Sequence, residues 1–239
     1  MSGVCTLSFR LAAVLVAGAC STAAWAAPMI VNGGFENDFA GWTLADQPGS
    51  LGTFLVQSGT ASPVLGDPVP APPQGGKAAM TDAEGPGAHV LYQDFLAAAG
   101  PATLSFQLFI GNRSDAFATP DTLDFSIPGI NQQARVDILK AGADPFSVAA
   151  ADILLTLFTT PVGSDLVTGY NTVSTDIGAL LSANAGQSLR LRFAETDNFG
   201  PLQMGVDNVQ ITGAAVVPEP ASYALAGLAL LGLALSRRR

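Results

Sequence analysis

Asp207 stands in the run Gly205-Val206-Asp207-Asn208-Val209-Gln210-Ile211. Alternate residues of a strand point to one face. As a strand, this run puts the carboxylate beside Val209 and Ile211, on the side that should be core. A lone buried carboxylate is costly unless it meets a cation or strong donors, so Asp207 is expected at a core edge with such a partner. A strand that begins only at Val209 would leave it in a solvated turn, and the run alone favours neither reading. Other reactive side chains are few. Cys5 and Cys20 both lie close to the start, and His89 is the sole histidine. His89 precedes Val90-Leu91-Tyr92 and is expected at a strand start rather than in catalysis. Zinc would want Cys or His ligands. There is no G-x-S-x-G, no H-E-x-x-H and no phosphate-cradling glycine loop. The pairs Asp121/Asp124 and Glu195/Asp197 could serve a glycosidase. Aspartate is so common here, however, that near pairs arise without function, and Glu195 to Gly200 reads as a turn into the last strand. The chain is expected not to be an enzyme, with no catalytic residues.

The background supports that reading. The 239 residues include 10 basic and 19 acidic side chains, a formal charge of -9, with 12% charged and 49% hydrophobic. A disordered acidic tail would be less apolar and more charged. A net negative charge also argues against nucleic acid as a partner. Between residues 27 and 214 there are six basic and 18 acidic side chains, a formal charge of -12. Most of the acids are aspartate, which favours turns and caps and suits hard cations.

The elements that must position these residues read as strands. Leu189-Arg190-Leu191-Arg192-Phe193 alternates strictly, which places both arginines on an outer face. Leu104, Phe106 and Leu108 alternate with Ser105 and Gln107, and Val136 and Ile138 with Arg135 and Asp137. Further strands are expected at Thr53–Gln57, Lys77–Thr81, Val90–Phe95, Ile153–Thr159, Tyr170–Thr175 and Gly205–Thr212. Only Ile177–Ala185 looks helical. Short strands between Gly, Pro, Asn and Asp predict an all-β sandwich. Two long loops, Ser58–Gly76 and Gly111–Gln132, interrupt it, and loops of this length are usually functional or mobile. Aromatic rings that could stack on a sugar face are scarce. Trp42 is expected in the core, while Phe117 and Phe199 lie in polar loops and are the candidates for glycan contact.

Both ends of the chain differ from the middle. Arg10 precedes the apolar run Leu11–Ala19, and Ala24-Trp25-Ala26 supplies an A-x-A pattern. This predicts a signal peptide over residues 1–26, cleaved after Ala26. Both cysteines leave with it, so no disulfide is expected despite export. At the other end Pro218-Glu219-Pro220 precedes an apolar stretch from Ala221 to Ser236, and Arg237-Arg238-Arg239 follows. As a helix that stretch would span about 24 Å, a short transmembrane segment with its arginines on the cytoplasmic side. Residues 215–239 therefore read as an anchor and 27–214 as one β-sandwich domain. The tail from Val216 resembles the PEP-CTERM sorting signal. That resemblance implies a transient membrane anchor recognised by an exosortase in a Gram-negative bacterium that makes extracellular polysaccharide. It further implies export and delivery to the cell surface or biofilm matrix.

The core carries a second resemblance. Val31-Asn32-Gly33-Gly34-Phe35-Glu36, then Gly41-Trp42, and the late Val206-Asp207-Asn208-Val209 are similar to the carbohydrate-binding, galactose-binding-like jelly rolls. Members commonly place a structural calcium beside their first and last strands. The resemblance implies carboxylate ligands from Glu36 and Asp207 and carbonyl ligands from Gly34 and Lys77. Gln74 stands where the family often has an acid. The expected protein is an exosortase-processed surface or matrix protein that associates with extracellular polysaccharide through a calcium-stabilised jelly roll. A purely structural matrix protein is the first rival and a glycan-active hydrolase the second.

Overall fold

The computed structural model describes residues 29–213. The strands in chain order are β1 (Thr43–Asp46), β2 (Thr53–Gln57), β3 (Ala78–Asp82), β4 (Gly87–Leu96) and β5 (Ala102–Asn112). They continue with β6 (Gln132–Lys140), β7 (Ile153–Thr159), β8 (Asn171–Asp176), β9 (Ser188–Asp197) and β10 (Leu202–Gly213). One helix, α1 (Gly178–Ala183), falls inside the expected helical stretch. One sheet has the order β1-β4-β9-β6-β7 and the other β2-β3-β10-β5-β8. Every neighbouring pair is antiparallel. The fold is the expected all-β jelly-roll sandwich.

Alternation explains the core. Leu104, Phe106 and Leu108 of β5 face Leu189, Leu191 and Phe193 of β9 across the inter-sheet space, with Val136 and Ile138 of β6 beside them. Phe106 meets Phe193 edge-to-face at 5.2 Å, joining the sheets. Trp42 lies 6.0 Å from Phe193 and 5.3 Å from Phe35, so it belongs to the core as expected. β1 was not legible by alternation. It is a four-residue edge strand held by its pairing with β4.

Two expectations need correction. Asp207 does not share a face with Val209 and Ile211. The β10–β5 register slips between Asp207 and Gln210, and Asn208 has a left-handed φ of 50°. This bulge reverses the strand's phase. Met204 and Val206 face the core before it, Val209 and Ile211 after it, and Asp207 turns to the outside of the sheet. Nor does β10 begin at Val209; it begins at Leu202. Glu195 to Asp197 are no turn, because β9 runs through Asp197.

The arginines of β9 lie on the outer face, as expected. They do leave the core, but not for water. Arg192 is completely buried and Arg190 nearly so. The segment 141–152 lies over them, with the Pro145 and Ser147 carbonyls accepting from Arg192 Nη1 at 2.8 and 2.6 Å. Arg190 pairs bidentately with Asp94 at 2.7 and 3.0 Å and stacks 3.9 Å over Tyr92. The outer face of the second sheet is covered at one end only, and β8 leaves the rest open. At the covered end the Ser58–Gly76 loop packs Val69 against Met80, Phe109 and Tyr170. Gln57 Nε2 donates to the Gly59 and Pro70 carbonyls of that loop. At the far edge of the first sheet, the β6–β7 register slips twice, leaving Leu154 and Leu157 as extra residues.

Candidate functional site

The four expected calcium ligands cluster around residues 74–77. The Gly33 carbonyl accepts from Val209 N at 2.9 Å, which ties the first loop to the last strand. A side chain at Gly33 would strike the Val209 carbonyl, so only glycine fits. Glu36 follows at once. Its Oε1 accepts from Gly76 N at 2.8 Å and Lys77 N at 3.0 Å. Gly75, with φ of 64°, leaves room for that carboxylate, since a Cβ there would lie 2.2 Å from Glu36 Oε1. Asp207 Oδ2 accepts from Gln74 N at 2.8 Å and Oδ1 from Asn208 N at 2.6 Å. The Gln74 side-chain oxygen lies over Gly34.

Asp207 has no exposed surface. Burial pushes its carboxyl up, to about 6, with the nearby Glu36 charge adding to the rise against two backbone hydrogen bonds. Two carboxylates thus crowd one spot where each already draws main-chain donors from the same loop. Among the described residues no three His, Cys, Asp or Glu side chains converge to hold a metal. Any cation here would need carbonyl oxygens as well. The Gly34 and Lys77 carbonyls and the Gln74 amide oxygen are hard donors of the kind calcium accepts, so the residue set fits that ion.

A second feature lies at the end of the sandwich where the β3–β4, β5–β6 and β9–β10 connections meet. Two adjoining depressions of about 390 and 230 Å³ share Pro86 and Asn198. Phe125 and Ile130 line the first, and Glu84, Asp197 and Phe199 the second. Phe199 is 48% exposed and Ile130 46%. The half-buried Asn198 and the buried Asn131 and Gln132 hold the walls. Asn198 Oδ1 accepts from Asn131 N at 2.7 Å, and its Nδ2 donates to the Phe125 and Gly129 carbonyls, both at 2.9 Å. Gln132 donates to the Gly200 carbonyl and to Asn112. Asp197 accepts from Gly87 N at 2.9 Å and Leu202 N at 3.2 Å, joining two of the loops.

Of the two glycan-contact candidates, Phe199 is therefore at the groove and Phe117 is not. Phe117 is 2% exposed and packs in the inter-sheet core. The bridge between Ala118 and Gln132 draws its loop against β6 and turns the ring inward. The groove's other residues carried no local signal beyond the length of the loop that supplies Phe125 and Ile130. His89 is buried inside β4, with Nδ1 2.7 Å from Asp46 Oδ1 and Nε2 3.1 Å from the Leu51 carbonyl. Asp124 is occupied by Gln47 and Ser126, at 2.7 to 2.8 Å. Glu195 is sealed between the sheets and lines neither depression, so Asp197 reaches the groove without it as a carboxylate partner.

These features define a β-sandwich, and the comparisons place the tail that follows it. Residues 216–239 match the family model described as the PEP-CTERM protein-sorting motif. The motif marks an exported, exosortase-processed protein anchored in the membrane before processing. The expected signal peptide with Ala24 and Ala26, and the tail residues Pro218, Glu219, Pro220 and Arg237 to Arg239, lie outside the described residues. No curated protein matches the chain in sequence. Among solved structures, TmCBM61 in complex with β-1,4-galactotriose is similar at 12% identity and a TM-score of 0.45, over 79% of this chain and 100% of that one. The K3 cleaved adhesin domain of Lys-gingipain from Porphyromonas gingivalis is similar at 13% identity and 0.46, over 76% and 96%. The enzymatically active domain of tailspike protein 4 from bacteriophage CBA120 is similar at 12% identity and 0.46. That likeness covers 78% of this chain, which spans about a fifth of the tailspike's length.

Proposed function

We propose that the exported protein associates with extracellular polysaccharide at the cell surface or in the biofilm matrix, as a non-enzymatic binding domain over residues 27–214. One observation carries the reading: Phe199 stands half-exposed in a groove whose walls are held by buried and half-buried amides. An aromatic ring in a rigid, open groove suits the apolar face of a sugar. Co-sedimentation of the full chain, purified in detergent, with extracellular polysaccharide tests it. Phe199→Ala is expected to weaken binding about tenfold without moving the melting temperature. Binding that survives this change would refute the groove as the site. No sedimentation of folded protein would favour a purely structural matrix role.

We further propose that calcium binds Glu36 and Asp207, with the Gly34 and Lys77 carbonyls and the Gln74 amide oxygen completing the shell. Such an ion would fasten the Ser58–Gly76 loop to the first and last segments of the sandwich. At 100 times its dissociation constant a native-state ligand adds about 2.7 kcal/mol, or roughly 5–10 °C in melting temperature for a domain of this size. Glu36→Ala or Asp207→Ala is expected to abolish that rise. Because Asp207 must be ionised to ligate and its carboxyl is raised to about 6, the calcium effect is expected to fade as pH drops through that value. A melting curve unchanged by chelator at pH 7.5 would remove the site.

A further inference from the structure

The charges of the groove select among glycans. Its lining holds two carboxyl groups, Glu84 on an exposed rim and Asp197 at the floor, and no lysine, arginine or histidine. The domain as a whole is negative, with 18 acidic against six basic side chains. The arginines are committed elsewhere. Arg190 and Arg192 are held under the 141–152 segment, and Arg113, beside Pro201 of the groove, is paired with Asp67 and bonded to Gln203 and the Pro68 carbonyl. A uronic-acid or sulfated chain would therefore meet uncompensated repulsion, whereas a cationic sugar would meet complementary charge.

We propose that the groove binds a polysaccharide bearing free amino groups, its sugar face on Phe199 and its ammonium groups against Glu84 and Asp197. This rests on the polysaccharide-binding reading and narrows it to one chemical class. Asp197 suits the role. Its carboxyl already reaches into the loops on both sides through Gly87 N and Leu202 N. Burial raises it to about 7 against those two hydrogen bonds, so it carries only part of its charge at neutrality. An ammonium group placed beside it would favour the ionised form, and binding near pH 7 would release a proton from Asp197.

Calorimetry on the full chain in detergent, at physiological salt, provides the test. The probes are short oligomers, for which attraction to the overall charge is screened: a glucosamine tetramer, its fully N-acetylated counterpart and a uronic-acid tetramer. The glucosamine tetramer is expected to bind at least tenfold tighter than the acetylated one, with the uronic-acid tetramer weakest. Glu84→Gln, an exposed change, should cost about two- to fivefold on the amine form alone, the scale of one exposed ion pair. Phe199→Ala should weaken both glucosamine forms. Titrations in two buffers of different ionisation enthalpy should show proton release that is lost in Asp197→Asn. Equal or tighter binding of the acetylated tetramer would overturn the amine proposal and leave polysaccharide binding standing. Amine binding indifferent to both Glu84→Gln and Phe199→Ala would place it elsewhere and overturn the proposal. Binding of none of the three would overturn this proposal, while co-sedimentation with the extracellular polysaccharide would still decide the broader one.

Discussion

Asp137→Ala is expected to destabilise the sandwich by about 3–5 kcal/mol, read as a fall of roughly 6–20 °C in melting temperature. The reason lies in what the carboxylate holds. Arg135 donates to it from Nε at 2.8 Å and from Nη2 at 2.9 Å, Arg192 donates from Nη2, and Thr156 adds a hydroxyl at 2.8 Å. Asp137 and Arg192 are wholly buried. Burial pushes the Asp137 carboxyl up, but the Arg135 hydrogen bonds and the charges of Arg192 and Arg135 more than reverse this and hold it below its usual value. Removing the carboxylate leaves two guanidinium groups facing each other without a counter-charge. Arg192 has nothing in reserve, since its Nε already lacks a partner. By contrast the Lys77–Asp38 pair, with side chains 37% and 65% exposed, should cost about 0–1 kcal/mol on removal. Urea midpoints of Asp137→Ala and Asp38→Ala, measured side by side, check both. Equal midpoints would mean that the buried network contributes no more than a surface pair.

The second large effect is a loss of stability as pH rises. Glu195 is completely buried, and its Oε1 has no hydrogen-bond partner. Burial, with the Asp197 charge adding to it, raises the Glu195 carboxyl well above its ordinary value, and burial raises Asp197 to about 7. Between the ordinary carboxylate range and these raised values, the folded protein keeps protons that the unfolded chain has released. Stability from these groups is therefore full below about pH 4 and declines as pH climbs through 7 and beyond. For Asp197 the shift from 3.8 to about 7 corresponds to about 4 kcal/mol over that interval. Asp137 acts in the opposite sense, because its lowered carboxyl loses its stabilising contribution only at strongly acid pH. The melting temperature is expected to be highest near pH 5 and to fall toward pH 8. Glu195→Gln, which mimics the protonated acid, should raise the melting temperature at pH 8 and leave it nearly unchanged at pH 5. A wild-type melt that rises from pH 5 to pH 8 would contradict this assignment.

How far the sequence speaks depends on whether the signal is local. β2 and β7 occupy the β-rich stretches expected as strands, and β9 and β5 display their inward residues openly by alternation. The two ends of the calcium candidate, Glu36 and Asp207, could be brought together from motif resemblance alone. What escaped was non-local. Alternation gave Arg190 and Arg192 their direction, but the cover over them comes from a segment some 45 residues away in the chain. One left-handed residue, Asn208, sends Asp207 to the opposite face from the one that strand periodicity assigns. Phe117 lies in a polar stretch, and only a bridge to β6 turns it inward. The groove joins Pro86, Phe125 and Asn198 from three connections, so no window of sequence contains it.

The paired bulges in β7 bear on how such a domain behaves in a crowd. Ile153-Leu154-Leu155-Thr156-Leu157-Phe158-Thr159 has no charge and no proline, and it forms the free edge of its sheet. A flat strand of that composition would offer an evenly spaced ladder of unpaired amides to any neighbouring copy, the geometry from which sandwiches zip into fibrils. Leu154 and Leu157 interrupt the ladder at two points three residues apart. An approaching strand could keep register for only a turn of pleat before its donors and acceptors fell out of step. The two residues that have no partner across the sheet thus act against edge-to-edge pairing of copies.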